Sequence, residues 1–376
     1  MIEKPIDVLH RYEIRKTKKQ KAAFRQAAMA YVTSLGYICK EEKGSMGAVN
    51  LVIGDPEKAK YLVTAHYDTC PRLPFPNLIT PCNFWTFLAY QLFMVFVMLL
   101  PPVLPGLAVV WITQDPDWFM LAWYVSFWVV FLLMFAGPAN KHTANDNTSG
   151  VVTVLELAAN FPEEKRGDVC FVLFDLEESG LIGSASYRKT HKKETNDQLV
   201  LNLDCVGDGD ELVLFPTKKL KKNKEKMAFL EKMSVRLGHK SLTLHKKGFC
   251  VYPSDQNNFP YGVGIAAFHR CKIGLYCGRI HTPRDTVLEA DNVHLLRDRL
   301  LKLLTKQEAA DEVPMARQLF AAKERCHQGP QTGVELGPVH AFRQALLRCL
   351  YGRIGTALLH YTEARPRKRG RPARPV

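Results

Sequence analysis

Between Asn77 and Gln114 the chain has no charged residue, and none occurs from Trp118 to Gly137. Such gaps exclude an ordinary solvated insertion. Phe84 to Leu100 is almost wholly apolar, and prolines 101, 102 and 105, which follow it, are expected to kink or end a helix. A polar turn, Gln114-Asp-Pro-Asp117, precedes the second run. A bilayer is spanned by about 20 apolar residues, so two transmembrane helices are expected, at 84–105 and 118–137, within an inserted hairpin at 77–138. The competing reading is a hydrophobic hairpin or lid buried in a soluble enzyme, which rarely needs two such runs in one loop. Trp85, Trp111, Trp118 and Tyr124 are placed near the membrane–water boundaries, which favour such rings. Two spans return the chain to its starting side. Lys58, Lys60, Arg72 and Lys141 flank that side, while Asp115 and Asp117 mark the tip, so the positive-inside tendency puts the main domain in the cytoplasm.

Other absences are informative. Met1 to Lys21 is studded with charge and has no apolar core, which argues against a cleavable signal peptide. The ten cysteines show no C-x-x-C framework; Cys170 and Cys205 lie in or beside apolar runs as small core residues, and reduced thiols in a cytosol-facing domain are expected. No internal repeat is visible. What remains is one α/β domain interrupted by the hairpin: 1–76 as its first part, 139–312 as its second, and an Arg-rich tail, 313–376. A helix is expected through Phe24 to Leu35, followed by strands around Lys40 to Gly54. Further strands at Leu51–Ile53, Tyr61–Ala65, Val169–Phe174 and Leu199–Leu203 alternate with helices, predicting a mixed sheet flanked by helices.

Several of those apolar runs end in metal-ligand residues. Tyr61 to Ala65 delivers His66, and Asp68 is spaced to hold the ring's other nitrogen. Asp146 lies in a polar loop, His142 to Gly150, that opens a helix; Asp204 ends the strand Leu199 to Leu203; His281 precedes the helical stretch Ala290 to Leu304. The run Phe171-Val-Leu-Phe-Asp-Leu-Glu-Glu-Ser-Gly180 contributes Glu177 and Glu178. Singly, each has a plain reading: a solvated Glu pair, a hydrogen-bonded structural His, a helix-capping Asp. Together, two His and three carboxylates suit a pair of Zn²⁺ ions sharing one bridging carboxylate, with a further Glu left as general base.

The motifs H-x-D, N-D-N-x-S-G, E-E-x-G-L-x-G-S, N-L-D and I-H-T-P-x-D-T, as they stand here, resemble the co-catalytic di-zinc aminopeptidases of the bacterial leucyl aminopeptidase type, whose relatives include glutamate carboxypeptidase-like and glutaminyl cyclase-like enzymes. The likeness covers roughly Lys21 to Leu304 apart from the insertion, which places His66 and Asp146 80 positions apart. It implies a three-layer α/β/α zinc exopeptidase fold. It also implies that Asp146 bridges two Zn²⁺ ions, one held by His66 and Asp204, the other by Glu178 and His281. Glu177 would be the general base and Asp68 the orienter of His66, for hydrolysis at the N-terminus of a peptide. The same-fold alternatives are a carboxypeptidase-like amidohydrolase and a glutaminyl cyclase; a non-catalytic membrane scaffold has no need of all six groups. One stretch departs from the pattern: relatives carry S-D-H or S-D-Y where this chain has Ser254-Asp255-Gln256. Tyr252 and Asp255 are the candidates there for contact with substrate or oxyanion.

The net charge of +14 is unevenly spread. From Val313 onward twelve Lys/Arg face three Asp/Glu. The run Lys218 to Lys224 reads as a solvated loop or helix, or as a contact with anionic membrane lipid. Within the tail, Arg367-Lys-Arg-Gly-Arg-Pro372 resembles an AT-hook. A basic tail in solvent or on lipid is preferred to one that binds nucleic acid, as is a stretch foreign to the catalytic domain, for example one read in a shifted frame.

Overall fold

The computed structural model describes residues 2–73, 75 and 77–305. The Arg-rich tail at 313–376, with its AT-hook-like stretch, lies outside the described residues. The chain opens with α1 (Asp7–Arg11) and α2 (Lys18–Ser34), then β1 (Cys39–Lys43), β2 (Val49–Ile53) and β3 (Tyr61–His66). The insertion supplies α3 (Phe84–Leu99), α4 (Val103–Thr113) and α5 (Trp118–Ala136). Next come α6 (Gly150–Asn160), β4 (Val169–Phe174), α7 (Ile182–Thr190), β5 (Leu199–Leu203) and β6 (Glu211–Pro216). The described part closes with α8 (Lys224–Glu231), β7 (Val235–Leu237), β8 (Lys240–Leu244), β9 (Gly262–Cys271), β10 (Gly274–Tyr276) and α9 (Ala290–Thr305).

Local chemistry accounts for the main elements. Thr17 caps α2 reciprocally with Gln20: the Thr17 hydroxyl accepts from the Gln20 N–H at 3.2 Å, and the Gln20 amide oxygen accepts from the Thr17 N–H at 2.9 Å. In β4 every residue is buried. Its side chains divide by alternation: Val169, Phe171 and Leu173 pack with α2, α6 and α9, while Cys170, Val172 and Phe174 pack with Tyr187 of α7 on the other face. Burial on both faces is what a central strand of a helix-covered sheet requires. The result is the expected three-layer α/β/α arrangement.

The ten strands form one mixed sheet in the order β1-β2-β4-β3-β5-β9-β6-β8-β7, with β10 paired to β9. Strands β4, β3, β5 and β9 run parallel to their neighbours in that segment. Their carboxyl ends therefore open on one edge, where ligands of open α/β sheets bind.

The hairpin emerges where the body's own chain closes behind it. Pro71 and Ala139 form an antiparallel bridge, the Arg72 N–H donates to the Pro138 carbonyl at 2.8 Å, and the Asn140 N–H donates to the Cys70 carbonyl at 3.0 Å. The first arm differs from the expected 84–105: the helix breaks at residues 100–102 and resumes through Thr113. Pro105 falls in the first turn of α4, where a missing N–H costs little, so the arm continues past it. The arms pack closely at Gly106, where a Cβ would sit 2.8 Å from the Phe119 ring. Phe84–Thr113 and Trp118–Ala136 are both long and apolar enough to cross a membrane, and only 11% and 0% of their most apolar stretches are buried. Outside the hairpin, Ile38, Met46 and Leu237 are the exposed large apolar residues among those described. The hairpin is thus not a buried core element.

Candidate metal centre

Three adjacent parallel strands deliver the ligands. β3 ends on His66, β4 leads through Asp175 and Leu176 into Glu177 and Glu178, and β5 ends one residue before Asp204. Asp146 enters from the loop before α6 and His281 from the loop after β10. The five predicted ligands meet at one place. His66 Nε2 lies 3.2 Å from Asp146 Oδ1 and 3.6 Å from Asp204 Oδ1. His281 Nε2 lies 3.0 Å from Asp146 Oδ2 and 3.6 Å from Glu178 Oε2. Each Asp146 oxygen therefore faces a different histidine.

The loop around Asp146 is built to hold that pose. Asn147 donates to the Leu203 carbonyl at 2.9 Å and accepts from the N–H groups of Gly150 at 3.0 Å and Cys205 at 3.3 Å. Asn145 accepts from the Gly207 N–H at 2.7 Å. The two Asn of N-D-N thus sew the Asp146 loop to the chain leaving β5. Gly150 is required by space: a Cβ there would lie 2.4 Å from both Asn147 Oδ1 and the Leu203 carbonyl oxygen. The left-handed region is also used at ligand loops. Leu176, Leu181, Cys205 and His281 have φ between 55° and 60°, four of the six non-glycine cases among the described residues. Such conformations cost of order 1–3 kcal/mol each and gather at functional sites.

Asp68 lies against the ring nitrogen it was expected to face and also serves the E-E turn. Its Oδ1 is 3.5 Å from His66 Nδ1, and that nitrogen has no hydrogen-bond partner among the described residues. Its carboxylate instead accepts from the N–H groups of Glu177 at 3.0 Å and Glu178 at 3.3 Å. Asp68 therefore pins the E-E turn while lying beside the ring. The Tyr252 hydroxyl donates to the Asp204 carbonyl at 3.1 Å, and the ring stacks on Phe215. Asp255 is fully buried, accepts from the Ser184 hydroxyl, and leaves Oδ2 without a partner. Gln256, where the motif departs from its relatives, is used in packing: its amide donates to the Tyr252 carbonyl at 2.8 Å and accepts from Asn202 at 3.0 Å.

Three contributors escaped the sequence reading. Asp285 accepts from the N–H groups of Asn145 at 2.7 Å and Asp146 at 3.1 Å, holding the Asp146 loop; its only signal was the final D of I-H-T-P-x-D-T. Cys70 joins Asp146, Glu178 and His281 as a possible ligand, all their donor atoms lying within 4.8 Å of one another. Arg15 is fully buried; it donates to the Tyr67 carbonyl, to the Tyr12 carbonyl at 2.6 Å and to the Thr148 hydroxyl at 3.1 Å, tying the β3 exit to the Asp146 loop.

Electrostatics show what the cluster needs. Burial pushes Glu178 up to about 8 against the pull of His281, and Asp255 up to about 7. Glu177 is raised well above the carboxylate range, by burial first and then by Glu178 and Asp255. Burial alone would lower His281, but Glu178 and Asp146 overcome it and hold the imidazole up at about 9. Burial would likewise raise Asp146, but His281 and His66 keep it below its usual value. More carboxylates than cationic partners are gathered here, so protons are retained where positive charge is wanted. Divalent cations fit this donor set. His66–Asp146–Asp204 forms one group of convergent ligand atoms and Asp146–Glu178–His281, with Cys70, the other. Glu178 Oε1 is also buried without a partner among the described residues. Oxygen and imidazole donors with a shared carboxylate suit Zn²⁺.

Residues 129–301 match peptidase family M28. Over that stretch the chain is similar to the M28 peptidases. That segment holds Asp146, Glu177, Glu178, Asp204 and His281 but begins inside the hairpin, so His66 joins the set through the fold. No curated protein matches the chain. Among solved structures, it is similar to Porphyromonas gingivalis glutaminyl cyclase (15% identity, TM-score 0.51, covering 81% of this chain and 98% of that one). It is also similar to a Zn-dependent exopeptidase from Parabacteroides distasonis (14%, 0.51, 80% and 97%) and to a leucine aminopeptidase precursor from Bacteroides thetaiotaomicron (14%, 0.50, 81% and 97%). These likenesses show the zinc exopeptidase fold. The match over residues 129–301 adds a likeness to peptidases in the segment that carries most of this donor set.

Proposed function

We propose that the M28-like chain is a membrane-anchored aminopeptidase working with two Zn²⁺ ions. The observation that carries this reading is Asp146, whose two oxygens face two separate histidine-bearing ligand groups. His66 and Asp204 would hold one ion, Glu178 and His281 the other, and Asp146 both. When bound, such a pair polarises the scissile carbonyl and acidifies the attacking water. The remaining steps belong to the chain. Glu177 takes the water's proton and passes it to the leaving amine. Asp68 holds Glu177 and Glu178 by their N–H groups, and Asp285 holds Asp146, so the base and the ligands keep a fixed separation. Tyr252 and Asp255 are the candidates for the substrate side; Asp255 Oδ2 is buried and has no partner among the described residues.

The hairpin supports anchoring in a lipid bilayer, with two spans and the catalytic body on the cytoplasmic side, as Lys58, Lys60, Arg72 and Lys141, which flank it in sequence, suggest. The Lys218 to Lys224 run would then meet anionic lipid. The test is an assay of zinc-loaded protein on peptides with free and blocked N-termini, with Glu177→Gln as control. Cleavage confined to free N-termini is expected, and Glu177→Gln should lower kcat about 100- to 10,000-fold while keeping its zinc. Equal cleavage of blocked peptides would refute aminopeptidase action. Ring closure of N-terminal glutamine with loss of ammonia, in place of cleavage, would make the chain a cyclase.

A further inference from the structure

A second cluster of metal-ligating side chains lies away from the strand ends, at the base of the hairpin. Cys82 precedes Asn83, the residue that caps α3 by accepting from the Trp85 and Thr86 N–H groups at 3.1 and 3.2 Å. His245 follows β8, and Cys250 lies five residues further on. The two thiols and the imidazole each offer a donor atom, all within 4.8 Å of one another. Cys82 Sγ lies 3.9 Å from His245 Nδ1, while Nε2 of the same ring is buried with no hydrogen-bond partner within 3.5 Å among the described residues. Both cysteines are free thiols.

The surroundings bring these residues together from both sides. The Val251 N–H donates to the Pro81 carbonyl at 2.9 Å, and Phe249 packs edge-on against Phe84 and tilted against Phe87 of α3. The loop after β8 is therefore clamped to the root of the hairpin. Cys82 and His245 also line a solvent-open groove of about 620 Å³ that includes Arg270 and Lys272.

We infer that Cys82, Cys250 and His245 form a site for a soft divalent cation, Zn²⁺, that fastens the hairpin to the loop after β8. Two thiolates and one imidazole are the donors Zn²⁺ selects, and the groove leaves a fourth position to water. On binding, the two thiols release their protons to solvent and no oxidant is needed. A disulfide between Cys82 and Cys250 would explain two of the three residues but gives no role to an imidazole at the same point. The cluster shares no residue with the Asp146 centre, so this inference is independent of the aminopeptidase reading.

The test uses the full chain in detergent, reduced and stripped of metal, with alkylation of each cysteine followed by peptide mass mapping as Zn²⁺ is added. Zinc should slow alkylation of Cys82 and Cys250 by about tenfold or more, leaving the exposed Cys271 unchanged as an internal control. In parallel, Cys82→Ser and His245→Ala should each bind one zinc fewer per chain than the unaltered protein. The readout is a difference, so incomplete loading of the Asp146 centre lowers both counts alike. Unchanged alkylation of Cys82 and Cys250 with zinc would overturn the inference. So would a linked Cys82–Cys250 peptide recovered from zinc-loaded protein.

Discussion

Asp146 faces His66 with one carboxylate oxygen and His281 with the other, as the proposed bridging role requires. Its own N–H and that of Asn145 are taken by Asp285, and the flanking Asn side chains carry the contacts to the β5 exit. Replacing it by alanine should therefore remove the shared ligand of both groups while leaving the fold's hydrogen bonds in place. Zinc bound at the centre should fall sharply for Asp146→Ala, in contrast to Glu177→Gln, and circular dichroism should be unaltered. Gly150 gives a complementary outcome. The Cβ of Gly150→Ala would meet the Leu203 carbonyl oxygen and Asn147 Oδ1, each at 2.4 Å, and the Asn147 amide is held by its own hydrogen bonds. A loss of about 1–3 kcal/mol is expected from such overpacking. Denaturant melts should show it, along with weaker zinc affinity, because the displaced segment carries Asp146.

At the scale of elements, the strands that deliver ligands were legible because each is a short apolar run closed by a polar residue. Tyr61–His66 and Leu199–Leu203 could be read that way directly. The far half of the sheet was not. β9 is a central strand, but Gly264, Ala266 and Ala267 disguise it; a Cβ at Gly264 would lie 2.8 Å from the side chain of Gln256, which fills that space. Arg15 was equally hidden, since its partner Thr148 lies 133 positions away and no local pattern announces the contact. The hairpin was the plainest element, and only its length was misjudged, because Pro105 falls in a first helical turn. Its two ends are joined by the Pro71–Ala139 bridge, so the body does not depend on the apolar arms to close the chain. Replacing residues 84–136 by a short Gly/Ser linker should thus move the protein from the membrane pellet to the soluble fraction with hydrolytic activity retained. Soluble behaviour of the unaltered chain in the same fractionation would remove the case for an anchor.

For the molecule as a whole, the buried cluster couples folding, protons and cations. In the metal-free protein Glu178 holds its proton up to about 8 and His281 up to about 9, whereas in the unfolded chain they release it near 4.5 and 6.5. Both folded values are raised, so between the unfolded and folded values the native state binds more protons than the unfolded state. The stabilisation is complete below the unfolded values and is lost as pH rises through 8 and 9. Metal-free protein should therefore melt at a lower temperature at pH 9 than at pH 6. Zinc reverses the trend, because its ligands must shed those protons to bind it and less is spent displacing them at high pH. The rise in Tm on adding a fixed excess of Zn²⁺ should be larger at pH 8 than at pH 6. Melting curves with and without zinc at the two pH values check both statements. A zinc-induced rise that shrinks from pH 6 to pH 8 would mean that the buried carboxylates and histidines are not where the cations bind.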